Sequence, residues 1–151
     1  MKNLLDIIAD SIKVQHNVNV ARIDDDILQI DKGESPRFID FSFENEARIG
    51  IGGVVEFLPY TESGEDMIKR FYKILSCRVE RITFRKGQMV YKVHYNLILP
   101  NGEKEIFGTH MTWLFPYWRK TTSKINIEGP IISEQEVNNE IERIRTTYNT
   151  Q

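Results

Sequence analysis

The residues best suited to chemistry are two histidines, His94 and His110, and a single cysteine, Cys77. A zinc site requires three or four protein ligands, and the strands predicted around the histidines offer lysine, asparagine and threonine in place of acids. Cys77 follows the end of a predicted helix, where the negative end of the helix dipole disfavours a thiolate. We therefore expect no metal, no cofactor and no catalytic nucleophile. General acid or base work by either histidine stays open.

Two further motifs resemble ligand-binding loops only in part. Gly50-Ile51-Gly52-Gly53 has Val55 where a dinucleotide loop has its third glycine, and no helical pattern follows. The acidic triplet at positions 24–26 lacks the glycine and the terminal glutamate of a calcium loop. A strand with close backbone packing or a bulge explains the first motif, and a hairpin turn explains the second.

The most unusual segment of the chain, residues 113–118, reads Trp-Leu-Phe-Pro-Tyr-Trp, and Arg119 and Lys120 follow it. We call residues 113–118 the aromatic segment. Such rings can seal the end of a core. Alternatively, Trp113, Tyr117, Trp118 and Arg119 can form a binding surface, because Trp, Tyr and Arg dominate the energetics of protein interfaces.

The loop Leu99-Pro100-Asn101-Gly102-Glu103 predicts how two strands align. Proline suits the first central position of a type I turn, and Gly102 suits the left-handed position of a three-residue hairpin loop. Continuing that register places both histidines on one outward face. A preceding hairpin that turns at Lys86-Gly87 adds further cations. The predicted basic face comprises Arg81, Arg85, Lys92, Lys104, His94 and His110.

The elements that must position these residues follow from hydrophobic periodicity. Helices are predicted over residues 2–15, from Ser63 to Ser76, and from Ser133 onward, the last with a full capping box. Alternating apolar residues predict antiparallel strands over residues 17–23, 27–30, 37–43, 48–58, 78–85, 89–99 and 103–113. We expect a single α+β domain, residues 1–151, in the order α-β-β-β-β-α-β-β-β-α, with the helices on the apolar faces of the sheets.

Composition limits the class of protein. With 151 residues, 40% hydrophobic and 28% charged, the chain has the length of one ordinary domain and enough apolar content for a core. No run of about 20 apolar residues is present, as a membrane span requires, and no secretory segment is recognised. We expect a cytoplasmic protein. Net charge is −2, yet residues 67–125 carry +9.

Three functions remain open. The first is a non-catalytic, inhibitor-like or immunity-like protein that binds a protein partner through the aromatic segment and a charged surface. The second is binding of single-stranded nucleic acid by the basic face, against which the isoelectric point of 6.0 argues. The third is a small-ligand carrier or enzyme that uses His94 or His110 in a pocket.

Overall fold

A computed structural model describes residues 2–16, 18–31, 33–59 and 65–149. It confirms the predicted α+β class, with two antiparallel sheets and three helices. Two more strands are present than the periodicity predicts. The elements are α1 (Lys2–His16), β1 (Asn19–Asp24), β2 (Ile27–Asp31), β3 (Arg37–Asp40), β4 (Glu46–Ile51), β5 (Val54–Pro59), α2 (Glu65–Ser76), β6 (Arg78–Lys86), β7 (Met89–Ile98), β8 (Lys104–Met111), β9 (Thr121–Glu128) and α3 (Glu134–Asn149).

The chain divides into two compact units, each with one sheet. Unit 1 comprises residues 1–76 and 130–151, and unit 2 comprises residues 77–129. Unit 1 holds all three helices. Among the described residues, no helix combines the length and apolar character needed to cross a bilayer.

The sheet of unit 1 is a five-stranded meander in the order β1-β2-β3-β4-β5. The predicted strand 48–58 is two strands, because Gly52 adopts a positive φ of 57° and turns the chain so that Ile51 pairs with Val54. Glycine adopts this conformation without the steric cost that a Cβ brings. The Gly50-Ile51-Gly52-Gly53 motif therefore contains a hairpin turn, whereas a strand with close backbone packing or a bulge was predicted.

Helix α2 supplies much of the core of unit 1. It buries residues on more than one face, namely Met67, Ile68, Phe71, Tyr72, Ile74 and Leu75. The amides of Ile131 and Ile132 both donate to the carbonyl of Leu75, at 2.8 and 3.2 Å, which satisfies a helix-end acceptor. The predicted starts at Ser63 and at position 17 lie outside the described residues.

Helix α3 begins as its capping box predicts. The Ser133 amide donates to the Glu136 carboxylate at 3.3 Å, and the Glu136 amide donates to the Ser133 carbonyl at 3.1 Å. Both contacts satisfy polar groups at the first helical turn. This local signal placed the helix start correctly.

The sheet of unit 2 has the order β8-β7-β6-β9. Its last strand, β9, was not predicted, because its sequence Thr-Thr-Ser-Lys-Ile-Asn-Ile-Glu has only two apolar residues and both remain exposed. The predicted loop at Pro100 is confirmed. Gly102 adopts φ 87°, and the Leu99 amide donates to the Glu103 carbonyl at 2.8 Å.

Two register shifts change which face each side chain occupies. Leu97 pairs with Glu105 as predicted, but β8 then contributes an extra residue at Phe107, so His94 pairs with Thr109 and Val93 with His110. A second shift lies between β6 and β7, where Phe84 pairs with Lys92 but Arg85 pairs with Val90. Since strand side chains alternate between faces, each extra residue reverses the alternation beyond it.

Candidate functional site

The aromatic segment presents four large apolar side chains to solvent. The exposed fractions are 83% for Trp113, 83% for Leu114, 76% for Tyr117 and 70% for Trp118. The alternative that these rings seal a core is therefore wrong. Large apolar side chains with this exposure are uncommon on protein surfaces when they are contiguous.

The segment is an ordered loop held at both ends. At its start the Thr112 amide donates to the Tyr91 carbonyl at 2.9 Å, and the Phe115 ring lies 4.6 Å from the Tyr91 ring between centroids. At its end the Gly87 amide donates to the Lys120 carbonyl at 3.2 Å. The half-buried Phe115 is thus the anchor, and its neighbours along the chain stay outside.

The outer rings are arranged against one another. Tyr117 and Trp118 meet edge to face, with centroids 5.2 Å apart and planes at 86°, an arrangement that aromatic quadrupoles favour. The Arg119 amide donates to the Pro116 carbonyl at 2.9 Å and closes a turn beneath them. Arg119 and Lys120, both exposed, follow the rings directly in sequence.

The predicted basic face does not exist as a single surface. Lys92, His94 and Lys104 share one face of the sheet, whereas Arg81, Arg85 and His110 occupy the other. The prediction is wrong because it assumed unbroken alternation along β7 and β8. The turn was also predicted one residue too early, which by itself leaves the faces unchanged. Gly87, with φ 61°, and Gln88 form the turn, so Lys86 pairs with Met89. Whether these six residues bind a ligand stays a prediction.

The face that carries His94 has a line of hydrogen-bonded polar groups. His94 contacts the Thr109 hydroxyl through Nδ1 at 2.6 Å and the Asn96 carbonyl oxygen through Nε2 at 3.0 Å. The Asn96 amide donates to Glu80 at 2.8 Å, and Lys104 Nζ donates to Glu80 at 2.7 Å. Both hydrogen bonds hold the pKa of the buried Glu80 carboxyl below its usual value, with Lys104 the larger cause.

Isoleucines flank this polar line, and we call this side of the sheet the isoleucine face. Ile106 pairs with Asn96, Ile127 with Glu80, and Ile82 with both His94 and Ile125. Ile106, Ile125 and Ile127 are 71%, 58% and 54% exposed. The register predicted from Pro100 pairs Ile106 with Asn96 on this face, as the structure does. Ile125 and Ile127 were missed because β9 was not predicted. The alternation Ile-Asn-Ile in β9 was the available signal.

The two histidines have different surroundings in the described part of the chain, and the enzyme hypothesis stays a prediction. The polar chain reaches a carboxylate only through Asn96, and His110 lies on the opposite face beside Val93. Within residues 2–16, 18–31, 33–59 and 65–149, no three His, Cys, Asp or Glu side chains are grouped to hold a metal ion. Cys77 is buried, as expected for a structural thiol.

Unit 1 contains a second polar cluster that the sequence did not reveal. The Ser11 hydroxyl donates to the carboxylate of buried Glu140, and burial, reinforced by that carboxylate, raises the pKa of the Tyr72 phenol. A cleft of about 180 Å³ between α1 and α3 is lined in part by Asp10, Ser11 and Arg143. Neither His94 nor His110 lines this cleft.

Comparison with protein-family models, with curated proteins and with solved structures finds no match for this chain.

Proposed function

We propose that the chain is a protein-binding protein and that the aromatic segment is its contact surface. The observation that carries the proposal is the exposure of Trp113, Leu114, Tyr117 and Trp118 on a loop whose backbone is anchored. Tryptophan and tyrosine are the side chains most enriched at the energetic centres of protein interfaces. An anchored loop also loses less conformational entropy on binding than a mobile one.

Charge identifies the chemistry of the partner. Unit 2 has nine Lys and Arg against four Asp and Glu, a net charge of +5, whereas the whole chain carries −2. Arg119 and Lys120 lie at the margin of the exposed rings. A partner with an apolar recess bordered by carboxylates fits this surface, because complementary charge steers encounter and apolar contact supplies affinity. An inhibitor-like or immunity-like protein would use such a surface to block its target.

The test is affinity capture from a lysate of the source organism, with partners identified by mass spectrometry and then measured as purified proteins. Trp118→Ala and Tyr117→Ala should each weaken binding to the captured partner about tenfold or more, the range of interface hot spots. Phe57→Ala is the matched control, since Phe57 is an exposed aromatic residue of unit 1, at 56%. Equal affinity of the wild type and the Tyr117→Ala/Trp118→Ala double variant would exclude this surface.

Binding of single-stranded nucleic acid is the second candidate, and one observation favours it. Three exposed rings, Trp113, Tyr117 and Trp118, lie beside Arg119 and Lys120, and bases stack on such rings while cations contact phosphates. The exposed aliphatic side chains, Leu114 above all, have no role in that mode. A labelled oligothymidylate should bind with an affinity that falls steeply as salt rises. Absence of binding at low salt would eliminate this candidate.

A further inference from the structure

The two edges of the unit 2 sheet differ in their readiness to pair with another strand. Edge strand β8 is interrupted by the bulge near Phe107, and a bulge is a common protection against edge-to-edge pairing. Edge strand β9 pairs with β6 from Thr121 to Glu128 without any register shift. Its residues Thr121 to Ile125 are exposed, and so is Ile127. A long, regular edge with exposed isoleucines is a template for a further strand.

The sequence of β9 is complementary to itself. An antiparallel copy related by a two-fold axis at Asn126 places Lys124 opposite Glu128 and Ile125 opposite Ile127, and each pair occurs twice by symmetry. Moving the axis to Lys124 places two lysines opposite each other, and moving it to Ile125 places Lys124 opposite Asn126. Parallel pairing in register also opposes like charges. Of these alignments, only the one at Asn126 matches both charge and apolar character.

The face assignments favour the same arrangement. Ile125 and Ile127 project on the isoleucine face, while Lys124, Asn126 and Glu128 project on the other. The two-fold axis at Asn126 therefore joins the isoleucine faces of the two copies, with four isoleucines clustered across the new strand pair. The Lys124 and Glu128 side chains meet on the opposite side. Cross-strand pairs of both kinds stabilise antiparallel sheets.

We propose that the β9 edge binds a second copy of this chain and forms a continuous eight-stranded sheet from two four-stranded ones. This surface is distinct from the aromatic segment, so dimerisation stands independently of the proposed partner binding. This proposal gives β9 a role. Lys124 disfavours pairing of this edge with most strands, but it pairs favourably with a strand that has a glutamate opposite it.

Charge reversal tests the proposal on the full chain. Lys124→Glu and Glu128→Lys should each raise the dimer dissociation constant about tenfold, because each creates two like-charge pairs in the homodimer. An equimolar mixture of the two variants should regain wild-type association, since each chain then offers the other its opposite charge. Analytical ultracentrifugation over a wide concentration range measures these constants. Thermal unfolding of each variant shows whether the monomer stays folded.

Loss of isoleucine supplies an independent measurement. Ile125→Thr combined with Ile127→Thr should weaken association at least tenfold. The matched control Ile106→Thr, more exposed on the same face but at the β8 edge, should leave association unchanged. A wild-type protein that is monomeric at every concentration overturns the proposal. So does a variant mixture that associates no better than its two components.

Discussion

The replacement Asp40→Asn in unit 1 tests the energetics of a buried ion pair. The Asp40 carboxylate, 3% exposed, accepts hydrogen bonds from the Ser42 amide at 2.8 Å and from Arg48 Nε at 3.1 Å, and a second Arg48 nitrogen also contacts it. The guanidinium in turn lies 4.1 Å from the centroid of the Phe43 ring. Asparagine keeps the size of the side chain and removes its charge.

The structure sets the magnitude of the effect. Hydrogen bonds to charged groups contribute about 1.5–3 kcal/mol each, and breaking a fully buried pair costs about 3–5 kcal/mol. The Arg48 side chain is 31% exposed and remains in contact with water when its partner is lost. We therefore expect Asp40→Asn to lower the free energy of unfolding by about 2–3 kcal/mol at neutral pH.

The lowered pKa of Asp40 also predicts how the effect of Asp40→Asn on stability changes with pH. Burial alone raises the pKa of Asp40, but the hydrogen bonds from Ser42 and Arg48 outweigh it and hold the pKa below the usual 3.8. A carboxyl whose pKa is lower in the folded state stabilises the fold fully above its unfolded pKa and loses that contribution as pH falls through the folded pKa. The difference in the free energy of unfolding between the wild type and Asp40→Asn should thus become smaller below about pH 4.

The assay is urea unfolding followed by far-ultraviolet circular dichroism, since all three helices belong to unit 1. Asp6→Asn is the control: its ion pair with Arg22, at 3.0 Å, lies at the surface and should contribute less than about 1 kcal/mol. Equal stability of Asp40→Asn and wild type at neutral pH would refute the reasoning. If the difference in unfolding free energy stayed constant down to low pH, the ionised Asp40 carboxylate would not be its cause.

Three other substitutions test separate features. Gly50→Ala should lower the free energy of unfolding by about 1–3 kcal/mol, measured in urea, because the added Cβ overlaps the Phe38 ring. Adding Phe38→Leu to that variant should restore part of the lost stability. Glu80→Gln should lower the free energy of unfolding by about 1–2 kcal/mol at neutral pH, as measured by tryptophan fluorescence. This difference should become smaller as pH falls below the usual pKa of 4.5. Phe115→Ala removes the anchor of the aromatic segment and should speed tryptic cleavage beside it, whereas Trp113→Ala, exposed at 83%, should not.

Local signals predicted local structure well. Pro100 and Gly102 determined the hairpin loop because both restrict backbone dihedrals whatever surrounds them. The capping box at Ser133 located the start of α3 for the same reason. Elements whose conformation depends on two or three adjacent residues could be predicted from one sequence.

Register over longer distances could not be predicted in that way. Gly108, next to Phe107, was the available signal for the bulge, because a glycine inside a strand often marks one. The predicted register did not use it. The extra residue at Phe107 separates His94 from His110. The second shift, between β6 and β7, places Arg81 and Arg85 on the face opposite His94. Strand β9 was missed because strand propensity measures fit to a half-buried surface, and most of its side chains remain exposed.

The aromatic segment shows why composition alone could not decide between core and surface. Its residues suit both, because tryptophan and tyrosine carry a large apolar area with one polar atom. The choice depends on how each ring packs in the fold. Phe115 packs against the half-buried Tyr91, whereas Leu114, its neighbour in sequence, is exposed. A change at Phe115 should therefore alter the position of the exposed side chains of the aromatic segment.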